Sequence, residues 1–436
     1  MSRPLESVSH EKTNKIAAWL QTTGGIVAVL LLVQLLTGVL LAFYYVPSVD
    51  HAHTTVSYIE KVVSSGSWLR SLHHYGSQWL ALFAFLHVAR LFWNEAYNYH
   101  KAHWIAAVLL LLLVMAAAGT GYSLPWDARA FFSTRVAEGL MGGLPFFGRY
   151  ARYWLLGGSE ISTITLSRFF ALHVLLTPFV ILAVVAWRVF RARCWSNLNH
   201  NAIAGALVFV ALAIWCAKFP APLGPPVETA TADYLPRPGA QFLWLYETLK
   251  HVPGALGSIV GVVLPGIALA ILASLPWLRA RRRSIGGVVL AAFAVVAVTM
   301  TVAAYWSDRH DQRTREQLAR QAEQESVWRR EPFTPTRLQS ARTTMQAANS
   351  GGPPVLYIKF CVDCHGPHGE GARRGTLKFP PLLGVSAKPQ RTVEDIVGLL
   401  KDPPAYGLQP PMRSFSDKLA EPQMREIAQW IVSLKK

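Results

Sequence analysis

Two cysteines three positions apart, followed at once by a histidine, are the residues of this chain whose types and spacing most directly indicate chemistry. They are Cys361, Cys364 and His365. In this pattern the two thiols form thioether bonds to the vinyl groups of a c-type haem, and the histidine binds its iron. A redox or zinc pair is the alternative, but the adjacent histidine and the glycines that follow favour the haem. The segment therefore predicts one covalently attached haem c.

From about residue 351 to 436 the chain resembles a small class I type cytochrome c. Met412 follows two prolines, and a soft thioether on a loop that proline stiffens suits a ligand opposite His365. Met424 is the competitor, but it lies in the predicted terminal amphipathic helix, where a core role suits a methionine. His368 is a weaker candidate. We predict Met412 as the sixth ligand.

Composition predicts that most of the chain lies in a membrane. Of 436 residues, 52% are hydrophobic and 15% are charged, which is too apolar for a soluble protein of this length. The first apolar run is long enough to span and lacks a small-residue cleavage site, so we expect no cleavable signal peptide. Seven spans of roughly 20 residues can be drawn, at about 24–46, 77–97, 104–124, 169–191, 202–220, 256–278 and 285–306.

Lysine and arginine orient these spans, because cytoplasmic loops carry an excess of both. If the spans alternate, one side collects the basic amino terminus and two arginine clusters, at Arg188, Arg191 and Arg193 and at Arg279, Arg281, Arg282 and Arg283. We predict a bacterial cytoplasmic (inner) membrane protein whose residues after about 307 lie on the periplasmic side, where c-type haem is attached. The net charge of +17 then reflects this orientation signal and a basic tail, and no nucleic acid partner is expected.

Histidines in the predicted spans are candidate ligands for haem b. His73 and His87 are 14 residues apart, about 21 Å along a helix and roughly 40° off the same face, so they could hold two stacked haems. His173 could complete the outer pair with His73. A lone intramembrane histidine is more often a polar contact or a core residue, but three at this spacing favour ligation. His74 is the fallback ligand if the register is off by one.

Residues from about 20 to 306 resemble the b subunit of quinol to cytochrome c or plastocyanin oxidoreductases, the bc and b-f complexes. The matching stretches are Gly24 and Gly38, 69–73 (LRSLH), 87–90 (HVAR), 121–127 (GYSLPWD) and 167–173 (SRFFALH). The resemblance implies that glycines let a haem lie flat against a helix and that arginines beside the histidines neutralise its propionates. By position the outer haem b site is complete, with Gly38, Gly121, Arg70, Arg168, His73 and His173, and Arg90 accompanies His87 at the inner site.

The fold implied by this resemblance is an all-α membrane protein of about seven transmembrane helices, with a four-helix haem-binding bundle and a small α-helical cytochrome c domain. We predict a haem-binding domain over 1–200 and, over 201–306, a domain that resembles the separate smaller subunit of the split b-f form. A linker over 307–350 and the cytochrome c domain over 351–436 follow. The linker contains a possible solvated helix and is expected to tether the last domain without fixing it.

The inner haem site departs from the family pattern. In the split-form register the ligand expected opposite His87 falls on Arg188, and a guanidinium is not an iron ligand. The glycine expected 14 residues before Gly121 is Ala107. Either the inner haem is lost, or His87 holds it alone with a water or another ligand opposite. We predict loss or five-coordination, hence one haem b, with two as the alternative.

Quinol oxidation is the second departure. The family carries Pro-Glu-Trp-Tyr before the sixth span, and its glutamate is thought to accept a quinol proton. Residues 238–241 of this chain read Pro-Gly-Ala-Gln, without the carboxylate that general base chemistry needs. Glu247, about two turns further, is a weak substitute, and we expect an exposed or capping role for it.

These departures weigh against a quinone cycle, which needs two b haems in series. The predicted function is electron transfer between a quinone pool or a partner redox enzyme, an outer haem b and a tethered haem c. One alternative is a working quinol:cytochrome c oxidoreductase subunit with a Rieske iron–sulfur partner. Another is a membrane anchor in which only haem c is active. Membrane lipid and a periplasmic redox partner are expected, and the resemblance suggests a homodimer or a larger complex.

Overall fold

The chain divides into two compact units in a computed structural model. The first unit comprises Met1–Gly224 and Leu235–Phe333, and the second comprises Pro225–Tyr234 and Thr334–Lys436. The structure describes residues 22–192, 198–227, 234–278, 282–333, 354–366, 369–374, 377–383, 392–407, 412 and 414–434.

The described part of the first unit is built of helices joined by short turns. In chain order they are α1 (Thr23–Ala42), α2 (Ala52–Lys61), α3 (Gly66–Trp93), α4 (Ala96–Tyr99), α5 (Lys101–Tyr122), α6 (Ala128–Gly142), α7 (Gly148–Leu156), α8 (Thr163–Ala171), α9 (Thr177–Ala192), α10 (Leu198–Lys218), α11 (Ala240–Lys250), α12 (Leu264–Ser274), α13 (Arg282–His310) and α14 (Gln312–Arg330). Short 3₁₀ turns lie at Gly254–Leu256 and Leu275–Trp277.

The predicted spans fall on these helices. Five described segments are long and apolar enough to cross a bilayer, namely Thr23–Ala42, Lys101–Tyr122, Thr163–Arg188, Gly254–Trp277 and Arg283–His310. The other two predicted spans fall mainly on α3 and on α10, whose apolar part Ile203–Lys218 is shorter. The prediction of an all-α membrane protein is confirmed.

One hydrophobic core joins α1, α3, α5, α9 and α10. Leu30, Leu72, Val114 and Ile181 are buried together there, and Leu212 of α10 belongs to the same core. In a bilayer, such close side-chain packing holds helices together, because lipid tails offer no hydrophobic gain. The structure therefore has no division at residue 200, where the sequence predicted a domain boundary.

Two helices contain a π-helical turn that ends two residues before a proline. The turns are Leu172–Leu176, before Pro178, and Ile259–Val263, before Pro265. Proline has no N–H to donate, and its ring clashes with the carbonyl four residues earlier. A wider turn accommodates both effects and lets the helix continue, and such turns often mark functional sites. The first of them carries His173.

Helix α14 belongs to the first unit, which corrects the prediction that the linker begins at residue 307. Lys61 of α2 donates to the carbonyl of Trp328 at 2.6 Å, and its ammonium lies 3.6 Å from the centre of that indole ring. Arg329 forms an ion pair with the buried Glu60, also of α2, at 3.6 Å. The predicted solvated helix is thus a helix bonded along one side, and the rest of the predicted linker lies outside the described residues.

The second unit contains a small helical fold with one short two-stranded ladder. Its elements are α15 (Val355–Phe360), α16 (Val362–His365), β1 (Ala372–Arg374), β2 (Leu377–Phe379), α17 (Val393–Lys401), a 3₁₀ turn (Pro403–Tyr406) and α18 (Glu421–Ser433). The strands pair antiparallel. The rings of Tyr357 and Trp430 lie 4.3 Å apart in the core, so α15 and α18 pack together and support the turn with the cysteines.

Candidate haem sites

Two histidines from different helices face each other at the outer level of the bundle. The rings of His73 on α3 and His173 in the π-turn have centres 5.9 Å apart, with their planes at 79°. Two imidazoles that share one metal, with bonds of about 2 Å each, have ring centres roughly 6 Å apart. The pair therefore has the spacing of two axial ligands. His74, the fallback ligand, instead hydrogen-bonds Gln78 at 3.0 Å.

Hydrogen bonds leave the iron-binding nitrogen available on both rings. Nδ1 of His173 lies 2.9 Å from the carbonyl of Ala117, which can only accept, so Nδ1 carries the proton. The hydroxyl of Thr37 donates to the carbonyl of Val33 at 2.6 Å, and its oxygen can accept from Nδ1 of His73 at 2.9 Å. Each Nε2 therefore has a free lone pair, as a ligating imidazole requires.

Two glycines lie directly against these rings. A Cβ atom on Gly38 would lie 3.1 Å from Cε1 of His73, closer than most real contacts. On Gly121 it would lie 3.0 Å from Nε2 of His173 and closer still to two other ring atoms. Only glycine permits this approach of backbone to ring. With the donor set above, the outer level fits a haem held by two histidines.

The arginines predicted beside the outer haem are engaged by protein groups. Arg70 forms an ion pair with Glu60 and donates to the carbonyl of Ala221 at 2.6 Å. Arg168 donates to the carbonyl of Trp154 at 2.7 Å. This arrangement differs from the predicted role at the propionates. For Arg70 the reason is that the carboxylate of Glu60 is buried and needs a counter-charge.

The inner level repeats half of this arrangement. Nδ1 of His87 lies 3.2 Å from the hydroxyl oxygen of Thr23. A Cβ atom on Gly24 would lie 3.4 Å from Cε1 of the same ring. The threonines at both levels were missed from the sequence. A Thr-Gly pair recurs after 14 residues on α1, which is also the spacing of the two histidines on α3, and this repeat was the available signal.

The other half of the inner level differs. Nη2 of Arg188 lies 3.3 Å from Nε2 of His87. Because a guanidinium can only donate, the lone pair that would bind iron accepts this hydrogen bond instead. Ala107 is buried at the position where the family pattern has glycine, and Arg90 donates to Thr23 at 3.3 Å. The residues present do not fit a haem with two histidine ligands.

The haem c motif occupies a helical turn in the second unit. Nδ1 of His365 lies 3.0 Å from the carbonyl of Pro380, so it donates there and leaves Nε2 for iron. Burial, with a smaller effect from Cys364, raises the pKa of the Cys361 thiol to about 12. A thiol that stays protonated at neutral pH is a poor zinc ligand or redox centre. Within the described residues, no group of three or more histidine, cysteine or acidic side chains could hold a metal ion.

The two candidate methionines have different surroundings. Met412 is half-buried and packs against the edge of the core of the second unit. Met424 lies inside that core on α18, 2% exposed. His368 lies outside the described residues.

Glu247 is buried, so the expectation of an exposed role was wrong. Only 4% of the residue is accessible, and its Oε2 accepts from Nζ of Lys250 at 2.8 Å. Its Oε1 lies 3.5 Å from Nε2 of His251, which is largely exposed. Position i and i+4 on one helix face bring the buried carboxylate and the solvent-facing imidazole together.

The segment before Glu247 lies against the outer end of α5. The hydroxyl of Tyr122 donates to the carbonyl of Arg237 at 3.1 Å. The ring of Phe242 lies 4.0 Å from where a Cβ on Gly119 would be. Since Gly121 of the same helix end contacts His173, helix α11 begins beside the outer haem level.

A membrane-embedded helical bundle with paired histidines, joined to a small helical domain with a Cys-x-x-Cys-His turn, defines a membrane electron-transfer cytochrome. The family model for cytochrome b/b6/petB matches residues 8–193, and that for cytochrome c matches 354–435. Cytochrome b of Rickettsia bellii is 31% identical over 301 residues, covering 63% of this chain and 74% of the relative. This chain belongs to the cytochrome b family, and it carries a cytochrome c domain at its carboxy-terminal end.

Two further comparisons agree. Cytochrome b of Cereibacter sphaeroides is 37% identical over 186 residues, which is 42% of each chain. A chain of the structure titled "Hyperthermophilic respiratory Complex III" has the same fold, with a TM-score of 0.52 and 21% identity, and covers 66% of this chain and 84% of that one. The protein is therefore an integral membrane protein of electron transfer.

Proposed function

We propose that this protein carries electrons along a linear path through one haem b and one haem c. His73 and His173 would hold the b haem at the outer level. Cys361 and Cys364 would attach the c haem, with His365 as its axial ligand and Met412 opposite. The two haems would connect a quinone pool or a partner redox enzyme with an electron acceptor.

The observation that carries this proposal is the hydrogen bond from Arg188 to Nε2 of His87, at 3.3 Å. It occupies the only ligand left at the inner level, while both ligands at the outer level have free Nε2 atoms. A quinone cycle needs a second b haem to carry one electron inward. With one b haem at the outer level, only a linear path remains.

Bound haem supplies a one-electron iron couple. The protein groups described here orient the ligands: Thr37 and the carbonyl of Ala117 fix the tautomers of the two outer histidines. The carbonyl of Pro380 does the same for His365. These outer-shell hydrogen bonds also make the imidazoles more basic, which tunes the iron.

Location and partners follow from the same proposal. The protein would lie in a bacterial inner membrane, with its cytochrome c domain on the periplasmic side and with lipid and quinone as contacts. The solved structural neighbour is named as respiratory complex III, which supports assembly with further subunits, such as a Rieske-type protein, and dimerisation.

A pyridine haemochrome spectrum of the purified protein tests the proposal, because it counts haem b and haem c per polypeptide. We expect one b to one c. Two b to one c would overturn the linear path and show that His87 has found a ligand opposite.

Burial of Glu247 favours a second candidate, the quinol:cytochrome c oxidoreductase subunit. A buried carboxylate with His251 at 3.5 Å could take a quinol proton and pass it to solvent. Under this candidate Glu247→Gln lowers the kcat of quinol oxidation by ~100-fold and changes its pH profile. Glu95→Gln, in an exposed ion pair with Arg283, is the control and leaves kcat unchanged. A wild-type protein without quinol oxidase activity would remove this candidate.

A further inference from the structure

Arg188 has an unused, buried half. A guanidinium has five N–H donors in a planar fork, and the described contacts of Arg188 use Nη2 alone, on His87. Its Nη1 atom is buried without a hydrogen-bond partner among the described residues. An arginine cannot relieve this by losing its proton, so the free donors indicate a partner that accepts.

Arginines at the outer end of the bundle are balanced differently. Arg70 pairs with Glu60, Arg152 with Glu138 at a short distance, and Arg237 with Asp308. Within the described part of the chain, no carboxylate forms an ion pair with Arg188. A charge buried without compensation costs several kcal/mol. The missing partner is therefore an anion from outside the described chain.

A second cation adds to the same site. Arg90 donates to the hydroxyl oxygen of Thr23, and that oxygen also contacts His87. Arg90 and Arg188 thus approach one small polar cluster from α3 and α9. Two guanidiniums around one point bind phosphate or carboxylate well, because their paired N–H groups match two oxygens of the anion.

The cluster lies at the membrane surface. Thr23 is the first residue of α1, Arg90 lies three residues before the end of α3, and Arg188 lies four residues before the end of α9. These positions are within roughly 6 Å of the helix ends. Trp93 and Trp277 are exposed at this end, as aromatic residues are at the level of lipid headgroups.

We propose that the inner level of the bundle is a binding site for a phosphate group, supplied by the headgroup of an anionic phospholipid. Basic pockets between transmembrane helices on the cytoplasmic side bind such headgroups. The inference rests on the proposed single haem b, because a second haem would occupy the same space. Arg188 then closes the vacant site with a lipid anion on one side and His87 on the other.

Titration of the full-length protein with lipid tests this site. The delipidated protein in detergent is titrated with phosphatidylglycerol, with phosphatidylcholine and with inorganic phosphate, and native mass spectrometry counts the adducts. Both haems are counted in the same sample. We expect one tight phosphatidylglycerol per chain, and at least ~10-fold weaker binding in Arg188→Gln, which keeps a donor for His87.

Two variants serve as controls. Arg188→Lys keeps the charge and should bind within ~3-fold of wild type. Arg283→Gln removes an equal charge from an exposed arginine at the same end of the bundle, and should bind as wild type.

Each outcome decides one point. Equal phosphatidylglycerol binding by wild type and Arg188→Gln overturns the site. Inorganic phosphate that displaces the lipid and is itself lost in Arg188→Gln supports the anion site but overturns the lipid as its source. Two b haems per chain overturn the proposed function, whereas the comparison of Arg188→Gln with Arg283→Gln still judges the anion site.

Discussion

Nδ1 of His73 donates to the hydroxyl oxygen of Thr37 across 2.9 Å, while that hydroxyl donates to the carbonyl of Val33. The threonine thus passes the direction of a backbone carbonyl to an imidazole on another helix. This contact holds the ring in one orientation and one tautomer, which a haem ligand requires.

Thr37→Val should therefore weaken haem b binding. Valine keeps the shape but cannot accept from Nδ1, and loss of such an outer-shell partner typically costs ~10-fold or more in affinity. Haem b retention after dilution in detergent, with haem c as the internal reference, measures the effect. Thr299→Val is the matched control, since Thr299 only bonds its own helix, at 2.6 Å. Equal loss in both variants would assign the effect to general destabilisation.

Gly121→Ala should exclude haem b from the outer level. The added methyl would lie 3.0 Å or less from the ring of His173, so the ring must move and the ligand pair separates. Gly139→Ala is the control, because no atom lies within 4 Å of a Cβ there. The haemochrome ratio of b to c should fall in the first variant only. An unchanged ratio in Gly121→Ala would mean that the ring has room to shift.

Arg188→His combined with Ala107→Gly should create a second haem b site. The first change replaces a donor with a ligand opposite His87, and the second removes the methyl group at the same level. We expect the haemochrome ratio to rise from one to two b haems per c. Arg188→Gln removes the cation without adding a ligand and should stay at one.

His73→Ala and His87→Ala should differ in haem b content. His73 is one of two outer ligands, so its loss should abolish haem b, whereas His87 is bonded to Arg188 and its loss should leave haem b in place. Haem c content, from a separate domain, should persist in both. Loss of half the haem b in His87→Ala would indicate an occupied inner site.

Met412→Ala and Met424→Ala should affect different properties. Without its thioether ligand, haem c should lose its methionine-ligated absorption spectrum and its potential should fall. Met424 is a core residue, so its truncation should lower the free energy of unfolding by about 2–5 kcal/mol and leave that spectrum intact. Redox titration and thermal unfolding of both variants separate the two roles. The reverse pattern would make Met424 the ligand.

The sequence by itself determined the features that depend on local order along the chain. The Cys-x-x-Cys-His turn, the apolar spans and the 14-residue spacing on α3 are all periodic or contiguous, and each of these segments is helical in the structure. The family resemblance also pointed to the outer pair, His73 and His173. These signals need no knowledge of how distant segments pack.

Only the tertiary structure decided which groups meet. His87 and Arg188 are 101 positions apart, and the hydrogen bond between them depends on how α3 and α9 pack. The same holds for Glu247, which composition suggested was exposed, and for α14, whose polar sequence gave no sign of its attachment to Glu60 and Lys61. A charged side chain reads as solvated unless its partner is known. Partners across a fold follow from packing rather than from spacing along the chain.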